Sequence, residues 1–372
     1  MNLQSVIQAL VGSISPTCFL KKILEVKRSE SLSMFGRKQP LLLTFMPLLG
    51  EMAWVRQRSS GGLVQGVLRI QDGEGPVGRL ETPDNEEDWV ENVDYFTALS
   101  LVSYSPFDRF GPVSQKEMPE GVKYSYIGLM KFLDKNRAKL TPKSFEDLFT
   151  EFTKSMEVCL QGVRRDRWHA CLDILESDPL FKEAEVASLS EVSSGEFTDD
   201  TEWQGDVRKL LQRLSSGHLI VLLIITRLIE VTEERSLTLI DEPEAHLHPP
   251  LISAFIRAVS FLMSERNGVA VVATHSPVVL QEIPSNSVWM INRTGRFMSA
   301  YRPEGETFGE NVGLLTREVF SYELLNTGFY RMIADAVKGY DDFDHLLAAF
   351  EGQLGGEARA LTRSLLRQKN KS

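Results

Sequence analysis

The stretch Leu237-Thr238-Leu239-Ile240-Asp241-Glu242 constrains this chain more than any other, because an apolar run ends there in two adjacent carboxylates. A short apolar run is what a strand buried on both faces of a parallel sheet requires. Acids at its carboxyl end lie where such sheets bind ligands. One carboxylate can then serve a magnesium ion while its neighbour activates a water molecule.

Two further segments fit the same sheet. Leu214-Ser215-Ser216-Gly217-His218 is a small-residue turn that opens the apolar segment from Leu219 to Ile229. A glycine and two hydroxyls at a helix N-terminus expose backbone N–H groups and make a ready anion site. Downstream, Gly268 to Thr274 is a second buried-strand run, and it delivers His275 followed by Ser276-Pro277. A histidine on that edge can reach a terminal phosphate or the attacking water.

The order of small-residue turn, helix, acidic strand, helix, strand and histidine resembles the ABC-type AAA ATPase heads of the RecF and SMC kind. Within that class it resembles the stand-alone ATPases of bacterial anti-phage defence, the OLD-like proteins and the Septu ATPase among them. The resemblance implies an α/β fold, a P-loop NTPase head with a mainly parallel sheet, flanking helices, an antiparallel β section and an inserted helical lobe. In that reading Leu214 to His218 is the signature motif, with Ser215, Ser216, Gly217 and His218 at the nucleotide. Leu237 to Glu242 is Walker B, with Asp241 holding magnesium through its water shell and Glu242 as the catalytic base. Pro243 to Pro249 runs into the D-loop, which carries His246 and His248, and His275 is the catalytic switch histidine. ATP and magnesium are the implied cofactors. The implied partners are a second copy, joined through an ATP sandwich in which the signature motif acts in trans, a separate nuclease effector, and DNA. The implied activity is hydrolysis of ATP to ADP and phosphate, controlling that effector in anti-phage defence.

The same family carries a loop of the form G-x-x-x-x-G-K-[ST] near its N-terminus, where backbone N–H groups and a lysine hold the phosphates. The nearest imitation here, Gly61-Gly62-Leu63-Val64-Gln65-Gly66, continues Val67-Leu68 with neither lysine nor hydroxyl. Asn2 to Val11 is instead apolar at roughly helical spacing, like the helix that normally follows the phosphate loop. The expectation is a chain truncated at its N-terminus that hydrolyses ATP weakly or not at all by itself. Two alternatives stay open: a late true start that left a degenerate ATPase, and a non-catalytic interaction module that offers only its signature half-site to a complete partner.

Composition narrows the field. At 372 residues, with 42% hydrophobic and 25% charged side chains, the chain has the profile of a globular protein rather than a disordered or fibrous one. A net charge of −10 gives no global attraction to nucleic acid, so any DNA contact needs a local basic patch. Cys18, Cys159 and Cys171 show no paired metal spacing, and their odd number fits a reducing cytoplasm. The longest apolar stretches, Leu41 to Gly50 and Leu219 to Ile225, fall well short of the roughly 20 residues a bilayer span needs, so no membrane partner is expected. No signal peptide is expected either.

Along the chain, the reading divides residues 1–115 as the first part of the head, 116–206 as the inserted helical lobe, 207–320 as the rest of the head and 321–372 as C-terminal helices. Leu63 to Ile70 and Val77 to Leu80 flank a strong turn and predict a hairpin. Ala98 to Tyr104 predicts a strand. Within the lobe, Arg164-Arg165-Asp166-Arg167-Trp168-His169 reads either as a DNA-contacting patch or as a solvated helix face with one anchoring tryptophan. Glu244, His246, His248 and His275 can also be drawn as a zinc site. Asp342-Phe343-Asp344 is expected to start a helix rather than bind metal.

Overall fold

The computed structural model describes residues 41–46, 56–57, 80–81, 96–104, 123–133, 140–190, 200–294, 297–324 and 328–370. The expected N-terminal helix, the Gly61–Gly66 segment and all but the last residue of the expected hairpin lie outside the described residues. The chain divides into two units, Met1–Glu310 and Asn311–Ser372.

The first unit is built on a seven-stranded sheet of order β11-β10-β1-β9-β8-β4-β5. Four strands are mutually parallel: β5 (Lys123–Gly128), β4 (Ala98–Ser103), β8 (Ser236–Asp241) and β9 (Val269–Thr274). Beyond β9 the sheet continues through antiparallel strands β1 (Leu41–Met46), β10 (Val288–Thr294) and β11 (Phe297–Tyr301). Two short antiparallel pairs stand apart from it, β2 (Arg56–Gln57) with β3 (Leu80–Glu81) and β6 (Met130–Phe132) with β7 (Leu140–Pro142). This mixed α/β sheet is consistent with a P-loop NTPase head, parallel in one half and antiparallel beyond.

The buried strands look as their sequences require. Leu237, Leu239 and Ile240 of β8 and Ala270, Val271, Val272 and Ala273 of β9 are all buried, which suits strands covered on both faces. Helix α5 (Ser216–Val231) buries Val221 to Thr226 as a continuous run, together with Leu228 and Ile229. A helix apolar around nearly its whole circumference belongs inside a protein. It packs on β4 and β5 and against helices α1 (Phe145–Cys159), α2 (Val163–Leu175) and α6 (Pro249–Glu265). Helix α1 starts at a capping box in which Ser144 and Asp147 satisfy each other's backbone N–H groups.

These contacts redraw the segment expected as a lobe. Its first strand, β5, pairs with β4 in register from Ala98↔Lys123 to Ser103↔Gly128, and so belongs to the main sheet. Its helices α1 and α2 rest on α5 and α6. The apolar faces of α1 and α2 therefore pack against the head's own helices rather than closing a separate core. Helices α3 (Pro179–Glu183) and α4 (Asp200–Arg213) complete the segment, and the short helix α7 (Pro277–Gln281) follows β9.

The second unit holds α8 (Val312–Leu324), α9 (Gly328–Val337), α10 (Phe343–Ala349) and α11 (Gly356–Lys369) around a core of Ile333, Val337, Leu346 and Leu366. It begins at Asn311, so the expected boundary at residue 320 falls inside α8. Asp342 caps α10 by accepting from the Asp344 and His345 backbone N–H groups, as its sequence position suggested.

Candidate functional site

The four parallel strands end together, and this edge gathers the chemistry. Strand β8 delivers Asp241, which lies in register between Ser103 of β4 and Ala273 of β9. Glu242 follows in the left-handed region, with φ of 43° and ψ of 58°. A glutamate held there costs of order 1–3 kcal/mol unless its surroundings fix it. Its backbone N–H donates to the Ala273 carbonyl at 2.9 Å, and its Oε1 meets His275 Nε2 at 3.4 Å. The strained turn thus points the carboxylate at the histidine that β9 delivers. The His275 contact holds the Glu242 carboxyl below its ordinary value of 4.5 against the opposing effect of burial, so it is ionised at neutral pH.

Glu244 ties the two strand ends together. Its Oε1 accepts from Thr274 Oγ1 at 2.7 Å and from the His275 backbone N–H at 2.6 Å. Glu244 stands in the short turn Pro243–His246, so one carboxylate fixes the main chain of His275 while Glu242 engages its ring. Sequence reasoning placed Glu244 in the D-loop segment, with a zinc site as the alternative, and missed this positioning role. The alternative zinc cluster of Glu244, His246, His248 and His275 does not assemble, because each carboxylate and ring but that of the exposed His246 has found a different partner.

A magnesium ion fits the residues at this edge. Asp241 and Glu242 offer the oxygen donors that magnesium prefers. Beside Asp241, in register, the Ser103 hydroxyl oxygen is buried and lacks a hydrogen-bond partner among the described residues, a polar atom suited to an ion's bound water.

The small-residue turn behaves as a helix start. Ser215 caps α5, its hydroxyl accepting from the His218 backbone N–H. Ser215 and Ser216 are exposed, whereas Gly217 and His218 are buried. A Cβ on Gly217 would stand 2.7 Å from the His246 carbonyl oxygen, so only glycine lets α5 approach the Pro243–His246 turn this closely. Gly217→Ala is therefore expected to destabilise the fold by about 1–3 kcal/mol through overpacking, read as a lower denaturant midpoint.

The His218 ring turns inward rather than toward an external ligand. Its Nδ1 lies 2.6 Å from Ser215 Oγ and its Nε2 3.3 Å from Asp178 Oδ1, leaving Ser215, Ser216 and their backbone as the exposed groups of the turn. His248 Nε2 meets the other oxygen of Asp178 at 2.7 Å, and His246 is exposed. Asp178 is only 1% exposed and caps α3 through the Phe181 N–H. Burial pushes its carboxyl up, but the Phe181 N–H and the two imidazoles outweigh that and hold it below the usual carboxylate range. In sequence, Asp178-Pro179 signals a helix start. Nothing there links it to histidines 40 and 70 residues away.

Trp168 is fully buried, and its indole N–H donates to Thr226 Oγ1 at 3.1 Å. It is the anchoring tryptophan of the second reading, unavailable for stacking on a base. Cys159 and Cys171 are free, buried thiols pushed up to about 12 by burial. Among the described residues no helix is long and apolar enough to cross a membrane.

Parallel strands ending in Asp241, Glu242 and His275, with a serine-capped helix start packed against the following turn, are arranged as in an ATPase head of the AAA/ABC-type class. The comparisons agree with that class: residues 172–281 match the family model described as "AAA domain, putative AbiEii toxin, Type IV TA system". Over 315 residues the chain is 39% identical to Protein ea59 of Escherichia phage lambda, covering 78% of this chain. The chain spans 59% of that relative's length.

Proposed function

We propose that this chain is the nucleotide-hydrolysing head of an SMC-like ATPase that works as an ATP-linked dimer. The observation that carries the reading is the 3.4 Å approach of Glu242 to His275 at the carboxyl end of the parallel strands, with Glu244 fixing the His275 main chain. Bound magnesium would neutralise charge on the phosphates. Asp241 holds its water shell, and Glu242, ionised at neutral pH, accepts the proton of the water in line with the terminal phosphate. His275, held by two carboxylates, reports on the terminal phosphate by donating to it. Ser215, Ser216 and the first backbone N–H groups of α5 face the nucleotide held by a second copy, as a helix N-terminus suits an anion. Opening and closing of that dimer controls a partner effector, such as a separate nuclease acting on DNA. A role in phage defence rests on the resemblance alone.

The test is ATP turnover and mass in solution of the natural full-length protein. Light scattering with ATP and magnesium is expected to give twice the mass found without nucleotide, returning to the monomer as ATP is spent. A mass indifferent to ATP, or absence of turnover, overturns the reading.

A further inference from the structure

Asp178, His218 and His248 come together from three separate helix starts, and their ligand-type atoms all lie within 4.8 Å of one another. Among the described residues this is the cluster of histidine and acid that is compact enough to hold a metal ion. Asp178 caps α3, His218 sits in the first turn of α5, and His248 caps α6. We propose that these three residues form a zinc site that clamps the beginnings of the three helices, with two imidazole nitrogens and one carboxylate oxygen as ligands and a fourth position open to water.

The donor set and its support suit the ion. Two neutral imidazoles and a carboxylate are a recurrent zinc set when the fourth position is left open. Zinc bonds of about 2.0–2.1 Å place tetrahedral donors roughly 3.3 Å apart. His218 Nε2 and Asp178 Oδ1 already stand 3.3 Å apart. His248 Nε2 meets the other oxygen, Asp178 Oδ2, at 2.7 Å, and this hydrogen bond must break for His248 to join His218 on a metal held by Oδ1. His248 can move, since its side chain is 41% exposed, whereas the other two ligands are held inside. The two rings lie 5.6 Å apart, centroid to centroid, and tilted by 55°.

The far side of the buried ligand is prepared as well. His218 Nδ1 is 2.6 Å from the Ser215 hydroxyl, the outer partner that fixes the orientation of a metal-bound imidazole. When Nε2 gives up its contact with Asp178 for the metal, its proton is carried on Nδ1 and donated to Ser215 Oγ. His248 Nε2 likewise hands its proton to its own Nδ1, so both imidazoles bind as neutral rings and no proton is released. With Asp178 and His218 both buried, the site is more enclosed than the three open positions of an iron site built on two histidines and a carboxylate require. The positive ends of α5 and α6 oppose a cation here, and the buried negative charge of Asp178 offsets them.

The experiment needs no nucleotide, so its outcome is independent of the ATPase reading. The full chain is stripped with chelator, equilibrated with zinc chloride, desalted, and assayed for zinc per chain by mass spectrometry. One retained zinc is expected in the wild type and in His345→Ala, which removes an exposed imidazole of the second unit. No retained zinc is expected in Asp178→Asn or His248→Ala. Because Asp178→Asn alters a buried helix cap, His248→Ala, changed at a half-exposed ring, decides the matter. Cobalt(II) in place of zinc is expected to give the intense visible bands of tetrahedral coordination. A wild type that retains no zinc, a His248→Ala variant that retains as much as the wild type, retention of iron but not zinc, or weak octahedral cobalt bands would each overturn the site.

Discussion

Glu242→Gln in the natural full-length protein is expected to lower ATP turnover by roughly 10²–10⁴-fold while nucleotide remains bound, because an amide keeps the shape of the carboxylate but cannot accept the proton of water. The geometry makes this substitution clean. Glutamine can still place an oxygen near His275 Nε2, which now meets Glu242 Oε1 at 3.4 Å, and the backbone bond to Ala273 is untouched. The strained φ of 43° is set by the main chain, so the variant keeps the same turn. The pH dependence follows in sign. His275 lowers the Glu242 carboxyl below 4.5, so its ability to accept a proton is fully present above that value and is lost only as the pH falls through the depressed one. The acid limb of kcat/KM assigned to Glu242 therefore lies below the range of a free glutamate. Single-turnover hydrolysis of labelled ATP, with a parallel filter-binding assay, separates chemistry from binding. Turnover at the wild-type rate would remove Glu242 from the base's position, and loss of nucleotide binding would make its role structural.

The parts of this site that the sequence disclosed are those in which one short segment carries its own message. An apolar run closing in Asp241-Glu242, and another closing in Thr274-His275, can be assigned because a strand buried on both faces has few other compositions. The convergence of the two strand ends then follows from the parallel sheet, and β8 and β9 are neighbours in register from Leu237↔Val269 to Asp241↔Ala273. What stayed hidden depends on distances along the chain that no local pattern encodes. Glu244 looks like one more polar residue in a histidine-rich turn until Thr274 and His275 are brought to its oxygen. Asp178 reads as a helix cap, and its histidines become partners only when α5 and α6 place their first turns beside it. The inward turn of His218 has the same origin: a histidine after Ser-Ser-Gly is equally compatible with facing a nucleotide or the protein, and a buried carboxylate decides the direction. Strand β5 was obscured for a different reason, since its sequence Lys-Tyr-Ser-Tyr-Ile-Gly is polar on the exposed half and sits at the sheet's edge.

Trp168→Ala is expected to have the largest effect on stability, about 3–5 kcal/mol from the lost side chain and the cavity it leaves. Trp168 is fully buried in α2, and its partner Thr226 is a fully buried residue of the central helix α5. Removing the indole N–H strands the Thr226 hydroxyl at a cost of about 1–3 kcal/mol, part of the same loss. Against a typical total of about 5–15 kcal/mol, the loss places the variant near the limit of folding. Trp168→Phe, which keeps most of the volume and loses the hydrogen bond, is expected to fall between the two in a urea titration. The pair also decides how the arginines beside it are understood. A tryptophan with no exposed face cannot stack on a base, so Trp168→Phe is expected to leave any affinity for single-stranded DNA unchanged while lowering the unfolding midpoint. A phenylalanine variant that unfolds like the wild type yet loses DNA affinity would instead put this side chain at a nucleic-acid surface, and would mean that α2 leaves α5 when DNA is bound.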